Sequence, residues 1–153
     1  DPLTSSRIII RYFSNFLFFF ESLKKLSPWD KFLRIVFLKS IFPSFLACLP
    51  LTEDAIEARA VHAQLARLLQ NDTYKSYLLG ENNENLARAI LIFAEVMPTA
   101  SSSDKVRLCD QETAMAMKNT LVQMQSTMPG DALAAAFSAL DPQKQAALQA
   151  CMA

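Results

Sequence analysis

Glycine is almost missing from this chain: Gly80 and Gly130 are the only two in 153 residues. A loop that cradles a phosphate needs several glycines so that the backbone can approach the anion, and none can be built here. Histidine is scarcer still. His62 stands alone beside Val61, with no cysteine or carboxylate pair at ligand spacing, and reads as a structural or exposed histidine rather than a catalytic one. Cys48, Cys109 and Cys151 are odd in number, widely spaced and without histidine company, so neither a disulfide framework nor a zinc site is indicated. They read as small apolar fillers in a protein of a reducing compartment. No segment alternates apolar and polar residues with a period of two, so strands are not supported. A clean apolar run of about 18 residues is also lacking, because Arg11, Arg34, Lys39 and Pro43 interrupt the best candidates, which argues against a membrane span. No cofactor, metal ion or catalytic constellation is expected, and the chain reads as an all-α, non-enzymatic protein.

Net charge is missing too, with 15 basic residues against 15 acidic ones, but the neutrality hides two unlike parts. Nine of the eleven phenylalanines and the single Trp29 lie before residue 50. Before residue 51, Arg7, Arg11, Lys24, Lys25, Lys31, Arg34 and Lys39 oppose Asp1, Glu21 and Asp30, a net charge of +4, so the rest carries −4. A basic, aromatic head therefore precedes an alanine-rich, mildly acidic body, with the break between Ala47 and Thr52. The chain starts at Asp1 rather than methionine, which reads as a fragment of a longer product.

The body reads as helices joined by short polar loops. Thr52 offers an N-cap, with Glu53 and Asp54 in the first turn, to a helix over about 52–71 whose stripe is Ile56, Ala60, Val61, Leu65, Leu68 and Leu69. Residues 74–83, with Gly80 and Asn82-Asn83, read as a loop. A second helix, antiparallel to the first, runs from about Glu84 through Leu86, Ile90, Phe93 and Met97 and ends at Pro98. Thr99 to Ser103 is a small polar linker. A third helix, about 110–127, carries Ala114, Met117, Leu121, Met124 and Met128 and stops at Pro129-Gly130. Asp131 can cap a short fourth with Leu133, Phe137 and Leu140. Asp141-Pro142 opens the last, with aspartate as N-cap and proline at the first helical position, where its missing N–H costs nothing. Such a pattern suits helical-pair repeats and a small helical bundle equally well.

Phrases of the body, in order, carry a resemblance. They are Ala47-Cys48-Leu49-Pro50-Leu51-Thr52-Glu53-Asp54, then Ile56-Glu57-Ala58-Arg59 and Val61-His62-Ala63-Gln64-Leu65. Next come Leu79-Gly80-Glu81-Asn82-Asn83, Asn85-Leu86, Ile92-Phe93-Ala94-Glu95-Val96 and Gln111-Glu112-Thr113-Ala114. The series closes with Leu121-Val122-Gln123-Met124-Gln125 and the run from Leu140 to Gln149. Residues 46–153 thereby resemble the C-terminal end of the importin-five (karyopherin beta-three) nuclear import receptors of the importin-beta superfamily. The resemblance implies a HEAT/armadillo-type α-solenoid shared between cytoplasm and nucleus. It implies cargo proteins with basic import signals on an inner surface and nucleoporins outside, with no nucleic acid. Ran-GTP would be bound only by repeats at the other end of such a receptor, which this chain lacks.

Residues 1–45 depart from the family. Ile8-Ile9-Ile10, Phe18-Phe19-Phe20 and Phe32 to Leu38 match no motif of it, and the segment reads as an alternative exon or a mispredicted coding stretch rather than a divergent repeat. A basic amphipathic helix on a membrane surface, with Lys24 and Lys25 at its edge, is the other expectation for it, and would make the protein a membrane-associated helical adaptor. Glu81, Glu84 and Glu95 are the candidate cargo-binding residues, as parts of an acidic face for basic signals. Met115, Met117, Met124 and Met128 read as helix-core packing before an adaptable binding surface.

Overall fold

The computed structural model of the chain describes residues 2–22, 27–103 and 106–153; within the first helix it leaves out the side chains of residues 2–6, 16, 17 and 19–21. Lys24 and Lys25, and the side chains of Phe16, Phe19 and Phe20, thus lie outside the described residues. Among the described residues every regular element is helical. The chain divides into two compact units, Asp1–Leu49 and Pro50–Ala153.

The first unit is a pair of helices, α1 (Pro2–Ser22) and α2 (Pro28–Ala47). A capping box starts α2. Ser27 Oγ accepts the Asp30 N–H at 3.1 Å, while Asp30 Oδ2 accepts the Ser27 N–H at 3.1 Å. Pro28 occupies the first turn, and Pro43 lies inside the helix rather than ending it. The pair is held by aromatic packing: Phe13 stacks on Phe45 with ring centroids 4.1 Å apart and meets Phe42 edge-on at 5.3 Å. All three rings are buried, and each contributes about 1.5–3 kcal/mol by leaving water.

The second unit begins with α3 (Ala55–Gln70). Its N-cap is Asp54, not Thr52: Oδ1 accepts the N–H groups of Ile56 and Glu57 at 2.9 and 3.1 Å. The buried face departs from the expected stripe at two positions. Ile56 and Ala60 face solvent, whereas Ala58, Val61, His62, Leu65, Ala66, Leu68 and Leu69 are buried.

The expected loop over 74–83 is half helix, α4 (Asp72–Leu79). Asn71 ends α3 and at once caps α4, its Oδ1 accepting from Thr73 and Tyr74 at 3.0 and 3.4 Å, and Tyr74, Leu78 and Leu79 bury one face. Gly80 stops the helix at φ +84°, a left-handed conformation that side chains rarely adopt. A Cβ there would stand 2.6 Å from Cδ of Glu84.

Helix α5 (Leu86–Val96) is the most buried element, with Leu86, Ala89, Ile90, Ile92, Phe93, Ala94 and Val96 enclosed. The α-helix stops before Pro98 as expected, but the chain tightens into a 3-10 helix, Met97–Ser101, in place of a polar linker; Met97, Thr99 and Ala100 are core residues. Three helices follow: α6 (Gln111–Thr127), α7 (Gly130–Ser138) and α8 (Pro142–Met152). Asp110 caps α6 through the Thr113 N–H at 2.7 Å, and Asp141 caps α8 through the Lys144 N–H at 2.9 Å. In α7, Asp131 sits inside the helix instead of at its cap, which is Pro129.

Packing skips along the chain. Helix α3 lies against α4 and α6, while α5 lies against α7, α8 and the 3-10 helix. Within the second unit, α3 and α5 therefore pack on later helices more extensively than on each other.

Candidate functional site

One side of the second unit is organised by His62. Its ring is fully buried on α3, with Nε2 3.3 Å from the N–H of Leu51 and Nδ1 2.8 Å from the carbonyl oxygen of Leu108. A carbonyl only accepts and an N–H only donates, so Nδ1 carries the proton and the imidazole is neutral. Burial pushes its pKa below 6.5, against the opposing pull of the Leu108 carbonyl. Both ring nitrogens are committed to the backbone, which makes this a structural histidine.

Thr99 continues the tie. Its hydroxyl donates to the Val96 carbonyl at 2.7 Å and accepts the Leu108 N–H at 2.9 Å, so the 3-10 helix and the Leu108 strap are joined by side chains. Beside it the buried Cys109 thiol donates to the same Val96 carbonyl at 3.4 Å. Burial raises that thiol to about 11, and it stays protonated at neutral pH.

Between these straps and α8 opens a cleft of about 550 Å³, walled by Pro50, Pro98, Val106 and Ala147. Its polar feature is a triad: Lys144 Nζ lies 3.2 Å from Glu95 Oε1 and 3.0 Å from Asp141 Oδ2. The Asp141 hydrogen bond, then that of Glu95, raises the lysine pKa, and hydrogen bonds from Lys144 lower that of Asp141. A second hollow, about 490 Å³ and mainly apolar, lies where Ile90, Leu121, Leu133, Phe137, Leu148 and Met152 meet, with Gln125 and Gln149 also lining it. Leu133 and Phe137 are only half-buried for this reason, although their spacing reads as core.

The three candidate carboxylates are not brought together. Glu81 and Glu84 are exposed in the turn before α5, while Glu95 is in the last turn of α5, about 15 Å further along the helix axis, and already paired with Lys144. The methionines also divide: Met117 and Met124 are buried, Met128 is half-buried, and Met115 is 58% exposed. Among the described residues no group of three or more His, Cys, Asp or Glu side chains could hold a metal ion. The cysteines are free thiols, Cys109 buried, Cys48 and Cys151 half-buried.

Asp141 was legible as the cap of α8, but the pairing of Lys144 with Glu95 escaped the sequence reading because Glu95 is remote in sequence. The partner of Glu95 had no local signal. His62 did have one: it shares a helical face with Ala58, Leu65, Ala66 and Leu69, so a buried ring could have been read from spacing. No protein-family model, no curated protein and no solved structure matches the chain.

Proposed function

We propose that residues 50–153 act as a protein-binding helical scaffold, and that they are the closing HEAT-type repeats of an importin-five-like nuclear import receptor. The observation that carries the scaffold reading is the packing in two ranks, α3 on α6 and α5 on α7 and α8. Helical-pair repeats stack in this way, first helix on first helix and second on second, and each pair gains its core from the next. The apolar hollow beside α7 and α8 suits the same reading, because a stack leaves side chains at its open faces for a neighbour.

The transport part rests on the ordered phrases of residues 46–153 that resemble the importin-five receptors. Cargo with basic signals, nucleoporin contacts and a cytoplasmic and nuclear location follow from that resemblance alone. Within it, Glu81 and Glu84 are exposed carboxylates at the turn before α5, and Glu95 shares Lys144 with Asp141.

A chimera tests the reading. Residues 50–153 replace the last repeats of an importin-five receptor, and import of a basic cargo is scored in permeabilised cells. Import should be retained, and Glu81→Gln with Glu84→Gln should weaken cargo uptake. A soluble chimera with native-like helicity that imports nothing overturns the transport assignment.

A further inference from the structure

Two stretches of irregular backbone line the cleft of the second unit, and one histidine holds both. Pro50 and Thr52 belong to the first stretch, Val106 and Leu108 to the second. Between Pro50 and Thr52, the Leu51 N–H donates to His62 Nε2 at 3.3 Å, while the Nδ1–H of the same ring donates to the Leu108 carbonyl at 2.8 Å. The two stretches are not held equally. Leu108 is buried, and its own N–H donates to Thr99 Oγ1 at 2.9 Å, so the strap has a second tie that does not titrate. Leu51 is half-buried and Thr52 exposed, and among the described residues the bond to Nε2 is the hydrogen bond that ties Pro50–Thr52 to α3.

A proton on Nε2 acts on these two ties in opposite directions. Nε2 accepts the Leu51 N–H, and once protonated it becomes a donor, so two N–H groups would face each other across 3.3 Å. On the other side of the ring, the Nδ1–H of an imidazolium still donates to the Leu108 carbonyl, now with the help of its charge. The cost falls on Leu51 alone. Its segment is short, irregular and edged by water, so its release costs less than opening the buried strap or α3. No neighbouring charge competes for control of the ring. Glu53 before α3, Arg59 on it, Arg107 and Asp110 on the strap and Glu112 on α6 are exposed, Lys75 on α4 is paired with Asp72, and the Cys109 thiol is neutral. Burial and the Leu108 carbonyl set the proton affinity of His62.

We infer that His62 is an acid-operated latch on the cleft: a proton on Nε2 frees Pro50–Thr52 and opens the cleft along that edge, while the edge formed by Val106 and Leu108 stays in place. Hydrogen exchange of single amides, followed by NMR in the isotope-labelled full chain from neutral to mildly acid pH, tests this. Protection of the Leu51 amide, corrected for the intrinsic exchange rate, should fall by up to about tenfold for each pH unit below 6.5, the dependence of an opening that takes up one proton. The Leu108 amide and those of α5 should keep their protection over the same range. His62→Gln supplies a carboxamide that accepts and donates without titrating, and in it the protection of Leu51 should no longer depend on pH. If the glutamine variant does not fold, the comparison of Leu51 with Leu108 in the unaltered chain decides the matter. Loss of protection at Leu51, Leu108 and α5 together overturns the inference, because the acid effect is then unfolding of the whole unit. Protection at Leu51 that does not change with pH, or that falls equally in a folded glutamine variant, overturns it as well.

Discussion

The Nδ1–H of His62 donates to the carbonyl of Leu108 across 2.8 Å, a bond between α3 and the strap that leads into α6. On the other side of the same ring, Nε2 receives the N–H of Leu51. One neutral imidazole thus closes two backbone segments onto a helix, and it can do so only while Nε2 is unprotonated. The bond therefore sets a pH limit on the second unit.

The folded-state pKa of His62 lies below 6.5, because burial disfavours the cation. Below 6.5 the unfolded chain takes up a proton that the folded chain refuses, so stability falls as pH drops from 6.5 towards the folded value, and is complete above it. Urea denaturation on both sides of 6.5 should show this slope. His62→Phe should remove the slope and cost about 2–3 kcal/mol, since the Leu108 carbonyl and Leu51 N–H lose their partner. An unchanged slope in that variant would assign the titration elsewhere.

Gly80→Ala should destabilise the second unit by about 1–2 kcal/mol, from positive φ and the approach of the Glu84 side chain together. Adding Glu84→Ala removes only the crowding. The double variant should recover part of the loss in thermal melts, and full recovery would mean that the backbone conformation costs nothing.

Asp110→Ala should lower stability by about 1 kcal/mol through loss of the α6 N-cap, and Asp110→Asn, which keeps an acceptor, by much less. Hydrogen bonding to the Thr113 N–H holds the Asp110 carboxyl below 3.8, so its contribution is present above 3.8 and lost as pH falls through the lower folded value. Equal losses for alanine and asparagine, read by chemical denaturation, would exclude a capping role.

Phe13→Ala removes a ring stacked on Phe45 and in edge contact with Phe42, a core truncation worth about 3–5 kcal/mol. A helix pair of this size has little stability in reserve. Hydrogen exchange should show α1 and α2 losing protection while α6 keeps its own. Unchanged protection in α2 would show that the aromatic cluster does not hold the pair.

What the sequence determined by itself is local. Asp141-Pro142 announces the start of α8, Pro129-Gly130 the end of α6 and the proline after Met97 the end of α5, because capping, missing donors and fixed φ act within one turn of chain. The helical character of the body follows from the same short-range spacing. Where two local signals compete, spacing fails: Asn71 reads as a terminator and is also a cap, so α4 looked like a loop, and Asp54 displaces Thr52 by holding two N–H groups. Tertiary structure alone decided the rest. That Lys144 pairs with Glu95, that His62 finds Leu51 and Leu108, and that Leu133 and Phe137 edge a hollow instead of filling a core depend on which helices meet. Those meetings join residues far apart in sequence, through burial shared among several helices, and no window of the chain carries that sum.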